Sequence, residues 1–373
     1  LSPLGHRTVN CRLQYQLSSL LQHFCCSMNP SALDQNPRDS SSSTRLSPLE
    51  ALQSGENLPE LKRYKVYVDG QEGTTGLRIH DYLSQRTDVE IIRIDSECRR
   101  DVNARRATMN MADIVFLCLP DHAAIEASKL VDNPSTCIID ASTAHRLSPD
   151  WVYGLPELSA GQRAAMTSSK RIANPGCHAT AFILLMRPLV DANIVKSSTR
   201  ISANSITGYS GGGKTMIARW SDGTNRAPRP YALGLDHKHI PEMMRFTGLT
   251  VKPIFLPIVG NFHSGLAVIV SLDLYQLKTT ASDIHRALEV RYADEQFVRV
   301  MPMSNPPLME NGQFDIQGAV GTNCIDLFVF ADDDDEQAIL VARIDNLGKG
   351  ACGAAIQAMN IHLGCDEREG LLD

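Results

Sequence analysis

The sequence has no apolar run long enough to cross a membrane as a helix. It has no surplus of positive charge either: 36 Lys and Arg stand against 42 Asp and Glu, a formal net charge of -6. No basic stripe breaks that balance, which argues against a nucleic-acid partner. Of the 10 cysteines only Cys25 and Cys26 are adjacent, and none forms a C-x-x-C pair. In a chain of 373 residues that is not a disulfide scaffold. Unpaired thiols in a reducing compartment, the cytoplasm, are expected. The hydrophobic and charged fractions are ordinary for a globular protein, and the length suits two domains.

Residues 1–62 differ from the rest. No acidic residue precedes Asp34, while Arg7, Arg12 and several serines are present, ending in the run Ser40 to Ser43. Three readings stand: an organelle transit peptide, a disordered tail, or an upstream extension with Met28 as the start.

After this segment, Tyr64 to Asp69 alternates as a strand and runs into Gly70-Gln71-Glu72-Gly73-Thr74-Thr75-Gly76. Leu77, Ile79, His80 and Leu83 then follow a helical pattern, and Val89 to Ile94 reads as a second strand. Strand, glycine-rich turn, helix, strand is the setting in which backbone N–H groups hold a dinucleotide phosphate. The spacing is G-x-x-G-x-x-G, so Gly70, Gly73, Thr74, Thr75 and Gly76 are the candidate phosphate contacts. Asp95 would favour NAD through a ribose hydroxyl, whereas Arg93, Arg99 and Arg100 would neutralise the extra phosphate of NADP. Several arginines against one acid favour NADP, with Arg99 as a candidate contact.

Further strands, Asp113 to Leu119 and Thr136 to Ile139, alternate with a helix around Ala124 to Leu130. This predicts a parallel, doubly wound sheet, with ligands beyond the strands' carboxyl ends. Ser142 and Arg146 lie just past such an end, as candidates for cofactor and substrate contacts.

Asn174-Pro175-Gly176-Cys177-His178 precedes a long apolar helix pattern through Ala179, Phe182, Ile183 and Met186. Cys177 is thereby placed at a helix N-terminus, where backbone N–H groups and the dipole favour a thiolate. Gly176 and Pro175 leave the sulfur approachable. A lowered thiol pKa is expected, as for a nucleophile. Downstream, Thr199 to Thr207, Val251 to Pro257, Leu266 to Leu274, Cys324 to Phe330 and Gln337 to Ile344 read as strands, and Ala281 to Tyr292 as a helix. This predicts a second, α+β domain with a mixed or antiparallel sheet. The acidic run Asp332 to Glu336 reads as a solvated loop, not a metal site.

Gly208 to Thr215 matches both the P-loop pattern G-x-x-x-x-G-K-T and the nucleophile-elbow pattern G-x-S-x-G. Each needs a long helix directly afterwards. Met216 to Trp220 offers about a turn, so a glycine loop over the active site is expected, with Lys214 holding a substrate anion. Asp236-His237-Lys238-His239-Ile240-Pro241-Glu242 concentrates titratable groups. One histidine is the candidate general acid or base, oriented by Glu242. A His-x-His pair without further ligands does not make a metal site.

Taken together, DGQEGTTG, DASTAHR, NPGCH, GYSGGGK, HKHIPE and DNLGKGA, in this order, resemble N-acetyl-gamma-glutamyl-phosphate reductases of the shorter subtype. The resemblance covers Tyr64 to the C-terminus. It implies a Rossmann-type NADP-binding domain over 63–175, an α+β catalytic domain over 176–345, and a C-terminal helix within 346–373 that packs back on the first domain. It also implies NADPH-dependent conversion of N-acetyl-L-glutamyl 5-phosphate to N-acetyl-L-glutamate 5-semialdehyde, in arginine biosynthesis. The implied roles fall on Cys177 as nucleophile, His237 with Glu242 as acid/base pair, and Arg146, Lys214 and His239 as substrate contacts. Asn346, Gly348 and Lys349 join the cofactor contacts. A homo-oligomer is expected. Many members have an aromatic residue where this chain has His178. Aspartate-semialdehyde dehydrogenase and aminoadipyl-phosphate reductase are rivals of the same chemistry. A P-loop nucleotide hydrolase and a non-enzymatic NADP-binding protein are rivals of other classes.

Overall fold

A computed structural model describes residues 63–224, 227–304, 312–332, 334 and 336–373. The readings made for residues 1–62, and for Asp333 and Asp335 of the acidic run, fall outside these. Among the described residues no helix is long and apolar enough to cross a membrane.

The chain first lays down β1 (Tyr64–Asp69), α1 (Thr74–Ser84), β2 (Val89–Ile92), α2 (Val102–Met111), β3 (Ile114–Leu117), α3 (Asp121–Ser128), β4 (Cys137–Asp140), β5 (Val152–Tyr153), α4 (Gln162–Ser168) and β6 (Arg171–Ala173). These strands form one sheet in the order β2-β1-β3-β4-β6-β5, and every pairing in it is parallel. Covered on both faces, β3 and β4 are buried throughout, which explains their unbroken apolar sequences. Helix α2 had no apolar stripe to announce it. Asp101 caps it, accepting from the Ala104 N–H at 2.7 Å.

The second half supplies α5 (Cys177–Asp191), β7 (Ser202–Thr207), α6 (Gly213–Ser221), β8 (Arg229–Pro230), α7 (Ile240–Thr247), β9 (Ile254–Val259), β10 (Leu266–Asp273), α8 (Ala281–Tyr292), β11 (Val298–Val300), β12 (Ile325–Asp332), β13 (Gln337–Ile344) and α9 (Gly353–Leu363). Its sheet runs β11-β12-β13-β10-β7-β9-β8 and is mixed. The pairs β7–β9 and β11–β12 are parallel, and β12–β13, β13–β10 and β10–β7 antiparallel. Helix α5 packs on it, burying Ala179, Phe182, Ile183 and Met186, the positions read from the sequence. Burying Phe182 alone contributes about 2–3 kcal/mol. Helix α8 spans the residues expected and starts in a capping box of Thr280 and Asp283.

Helix α9 returns to the first sheet. Ala355, Ile356 and Met359 share a core with Val66, Ile79 and Ile114. The chain therefore passes between the sheets at two places, between β6 and α5 and between β13 and α9.

Candidate active site

Both passages border one cavity of about 320 Å³, lined among others by Thr74, Thr75, Arg146, Cys177, His237 and Lys238. Residues from the glycine turn of the first sheet and from the cysteine turn of the second thus face one space. That is the arrangement needed for a nucleophile to work beside a bound dinucleotide.

Gly70 has φ +86°, and a side chain there would collide with the Cys118 carbonyl. Only glycine fits comfortably. Gly73 is the N-cap of α1 with no side-chain cap, so the first N–H groups of that helix stay available to an anion. The Thr74 hydroxyl is buried with no partner among the described residues. An open helix N-terminus with an unused buried hydroxyl fits a pyrophosphate. A neighbouring hollow is lined by Gly70, Gly73, Arg99, Arg100 and Arg105, while Asp95 is not part of it. The chemistry of that lining suits the extra phosphate of NADP. Arg99 also pairs with Glu72, and Arg105 with Asp69 at 2.5 Å.

Cys177 is the first residue of α5. Burial dominates its titration and pushes the thiol up to about 11; the His178 backbone N–H, Arg146 and Lys238 act in the opposite direction without prevailing. The raised value runs against the lowering expected from the helix start, because burial outweighs the His178 N–H and the two cations. Gly350, on the other passage, lies against it, since a Cβ there would sit 2.8 Å from the Cys177 Cβ.

The histidines lie beside it. His237 is buried, and its pKa falls to about 4, first through burial and then through Lys238. His239 is held well below the usual histidine value by burial and by Arg146. Its Nδ1 has no partner among the described residues. His178 falls to about 3 through burial, His237 and Lys238. All three imidazoles are neutral at neutral pH.

The expected Glu242–His237 pairing is not what the structure contains. One Glu242 oxygen accepts from Arg146 at 2.8 Å. The other accepts from the Tyr153 hydroxyl at 2.9 Å and the Gly176 N–H at 3.1 Å. Glu242 therefore ties the residue before the nucleophile to Arg146. The Arg146 Nε is buried and unpartnered among the described residues, a donor ready for a substrate anion.

Other assignments also change. Ser142 donates its hydroxyl to Asp140 at 2.7 Å and lines neither cavity. The Lys349 ammonium is fully buried against Glu157 at 2.6 Å, so it cannot meet a cofactor. Gly348 packs against the Thr322 carbonyl, away from the cavity. Lys214 is exposed on α6 and does not line the cavity, although Gly211 to Gly213 and Met216 do. Lys238 lines it. Helix α6 is longer than the one turn read from sequence. Asn346 does border the cavity, with its amide held by Ser210 and Gly265. Tyr231 was not foreseen: it follows two prolines in a loop, and no spacing marks it. Among the described residues no group of His, Cys, Asp or Glu could hold a metal ion.

Residues 65–166 match the semialdehyde dehydrogenase NAD-binding domain family, and residues 177–346 the semialdehyde dehydrogenase dimerisation domain family. N-acetyl-gamma-glutamyl-phosphate reductase 2 of Nostoc is 42% identical over 322 residues, covering 83% of this chain and 100% of that protein. The chain belongs to the N-acetyl-gamma-glutamyl-phosphate reductase family. The family's reductase from Brucella ovis is 42% identical over 308 residues, 80% of this chain and 99% of that protein. Among solved structures, aspartate semialdehyde dehydrogenase II of Vibrio cholerae, complexed with ASA, matches with a TM-score of 0.60 and 16% identity. It covers 81% of this chain and 99% of its own. The enzyme of Candida albicans, solved with NADP, gives 0.57 and 15%, covering 80% and 98%. These structures share the fold with this member of the reductase family.

Proposed function

We propose that the chain reduces N-acetyl-L-glutamyl 5-phosphate to N-acetyl-L-glutamate 5-semialdehyde and phosphate with NADPH, a step of arginine biosynthesis. The observation that carries this reading is the single cavity shared by Thr74, Thr75 and Cys177. Gly73 to Gly76 and the arginines of the adjoining hollow hold the cofactor phosphates, and NADPH, when bound, supplies the hydride. Arg146 and Lys238 orient the anionic substrate.

Cys177 attacks the acyl carbon, phosphate leaves, and a thioester remains. Because the resting thiol is protonated, its proton must move during attack, and one histidine of the His237–His239 pair accepts it. An acyl phosphate entering beside these neutral imidazoles raises their proton affinity, which links proton movement to substrate arrival. Backbone N–H groups at the start of α5 face the oxyanion. Reduction gives a tetrahedral thiohemiacetal oxyanion. Its collapse forms the aldehyde and expels the Cys177 sulfur, which regains the proton. The chain works as a homo-oligomer, in keeping with the dimerisation domain family that its second sheet matches.

The reverse assay tests this. N-acetylglutamate semialdehyde, phosphate and NADP should give phosphate-dependent NADPH absorbance, lost in Cys177→Ala. Turnover by Cys177→Ala would exclude the covalent route. No turnover by a folded, NADP-binding wild type would refute the substrate.

A further inference from the structure

Four side chains, His237 among them, and two backbone groups form one unbranched hydrogen-bond chain. At one end the His239 backbone N–H lies 3.2 Å from the His237 Nδ1. A backbone N–H can only donate, so Nδ1 must accept, and the neutral ring carries its proton on Nε2. That Nε2 is 3.4 Å from the Tyr231 hydroxyl oxygen. The Tyr231 hydroxyl lies 3.1 Å from the His178 Nε2, and the His178 Nδ1 lies 2.9 Å from the Ser205 Oγ. At the far end Ser205 Oγ is 3.0 Å from the Ala267 carbonyl. A carbonyl can only accept, so the serine hydroxyl points at it. His178 must then donate from Nδ1 and accept at Nε2, and Tyr231 must donate to His178 and accept from His237.

Both ends are main-chain groups held in regular structure or a tight turn, and both dictate the same direction. His178 sits in the first turn of α5, Ser205 on β7 and Ala267 on β10. Burial keeps both rings uncharged. No member can reverse without setting two donors or two acceptors against each other.

We propose that Tyr231 and His178 are positioning residues that lock His237 in the tautomer carrying its proton on Nε2. This rests on the proposed reaction for its purpose and on geometry for its content. His237 is then a neutral hydrogen-bond donor, suited to the thioester carbonyl oxygen and to the oxyanion that hydride addition creates. Its 3.4 Å bond to Tyr231 is the longest in the chain, so that proton is the easiest to redirect toward a ligand in the cavity, which both residues line. His237 is correspondingly unsuited to accepting a proton, because a proton on Nδ1 would face the His239 N–H. The thiol proton is left to His239, whose Nε2 approaches Gly176, the residue before the nucleophile.

The test has two arms on the full chain. In 15N-histidine-labelled protein, with His237 assigned from the signal missing in His237→Gln, the wild type should show the Nε2–H shift pattern. Tyr231→Phe leaves only the 3.2 Å contact of the His239 N–H to hold it, and should move it toward a mixture. This arm needs no turnover and stands even if the assigned substrate fails. In the reverse assay Tyr231→Phe and His178→Phe should each lower kcat about tenfold with KM little changed, a part of what acid–base groups supply. The double variant should be no worse than the worse single one, as for groups acting in series. An Nδ1–H pattern in the wild type, an unchanged tautomer in Tyr231→Phe, or multiplicative kcat losses would overturn the proposal. If a variant fails to fold, the wild-type spectrum alone decides.

Discussion

Replacing Lys349 by Met removes the cation that faces Glu157. In the native chain Lys349 Nζ donates to Glu157 at 2.6 Å and to the Gln357 amide oxygen at 2.6 Å. Both charged side chains are 0% exposed. Gln357 adds a second hydrogen bond to the same carboxylate oxygen at 3.0 Å. Lys349→Met leaves a buried carboxylate whose counter-charge is gone, at a cost of about 3–5 kcal/mol. For a folded unit of this size that lowers Tm by roughly 5–8 °C. Changing both partners, Lys349→Met with Glu157→Gln, removes the charge as well as the pair. The double variant should recover to within about 1–2 kcal/mol of the wild type. The pH dependence has a definite sign. In the native chain Lys349 offsets burial and holds the Glu157 pKa below its ordinary value. That stability is present above about 4.3 and lost as pH falls through the folded value. In Lys349→Met the folded pKa rises instead, so the penalty is smaller at pH 5 than at pH 8. Urea unfolding of wild type and the variants at both pH values measures all of this. A single variant as stable as the double one, or a penalty that grows on acidification, would refute the reasoning.

Other outcomes follow from the cavity. Alkylation of Cys177 in the ligand-free protein should keep rising with pH beyond 9 and follow a pKa near 11; a plateau below pH 8 would contradict the burial argument. Gly176→Ala drives a methyl to within 2.6 Å of the Arg146 Nη1, and kcat/KM should fall by about 10²-fold or more with the circular dichroism spectrum unchanged. Arg100→Ala should raise the KM for NADP several-fold more than that for NAD; equal changes would remove the arginine hollow from phosphate binding.

Much of the fold was legible because its signals are local. The buried strands β3 and β4 of the first sheet are continuous apolar runs, and β7 of the second announces itself by alternation. Helix α2 was not, because its residues carry arginines where an apolar stripe would be and its start depends on the cap of Asp101. Cys177, His237 and Arg146 were found by motif, and they meet. What the motifs did not carry is who bonds to whom. Glu242 stands three residues from His239 in sequence, yet its carboxylate is taken by Arg146, Tyr153 and Gly176 from the other half of the chain. Lys349 reads as a cofactor contact until Glu157, which no spacing links to it, is seen beside it. The thiol pKa failed for the same reason: the helix start is local, whereas enclosure comes from both halves.

The two chain crossings between the sheets have a mechanical consequence. They run side by side, with Gly350 against Cys177 and the Asn174 amide bonded to the Ala351 carbonyl at 2.9 Å. Two adjacent strands of covalent chain joining two bodies form a hinge pin, and a rotation of one body against the other turns about that line. Cys177 sits on the pin. Points on an axis are displaced least, so any such rotation would move the glycine turn more than the sulfur. Opening to exchange a dinucleotide would then leave the nucleophile and its helix start undisturbed between turnovers.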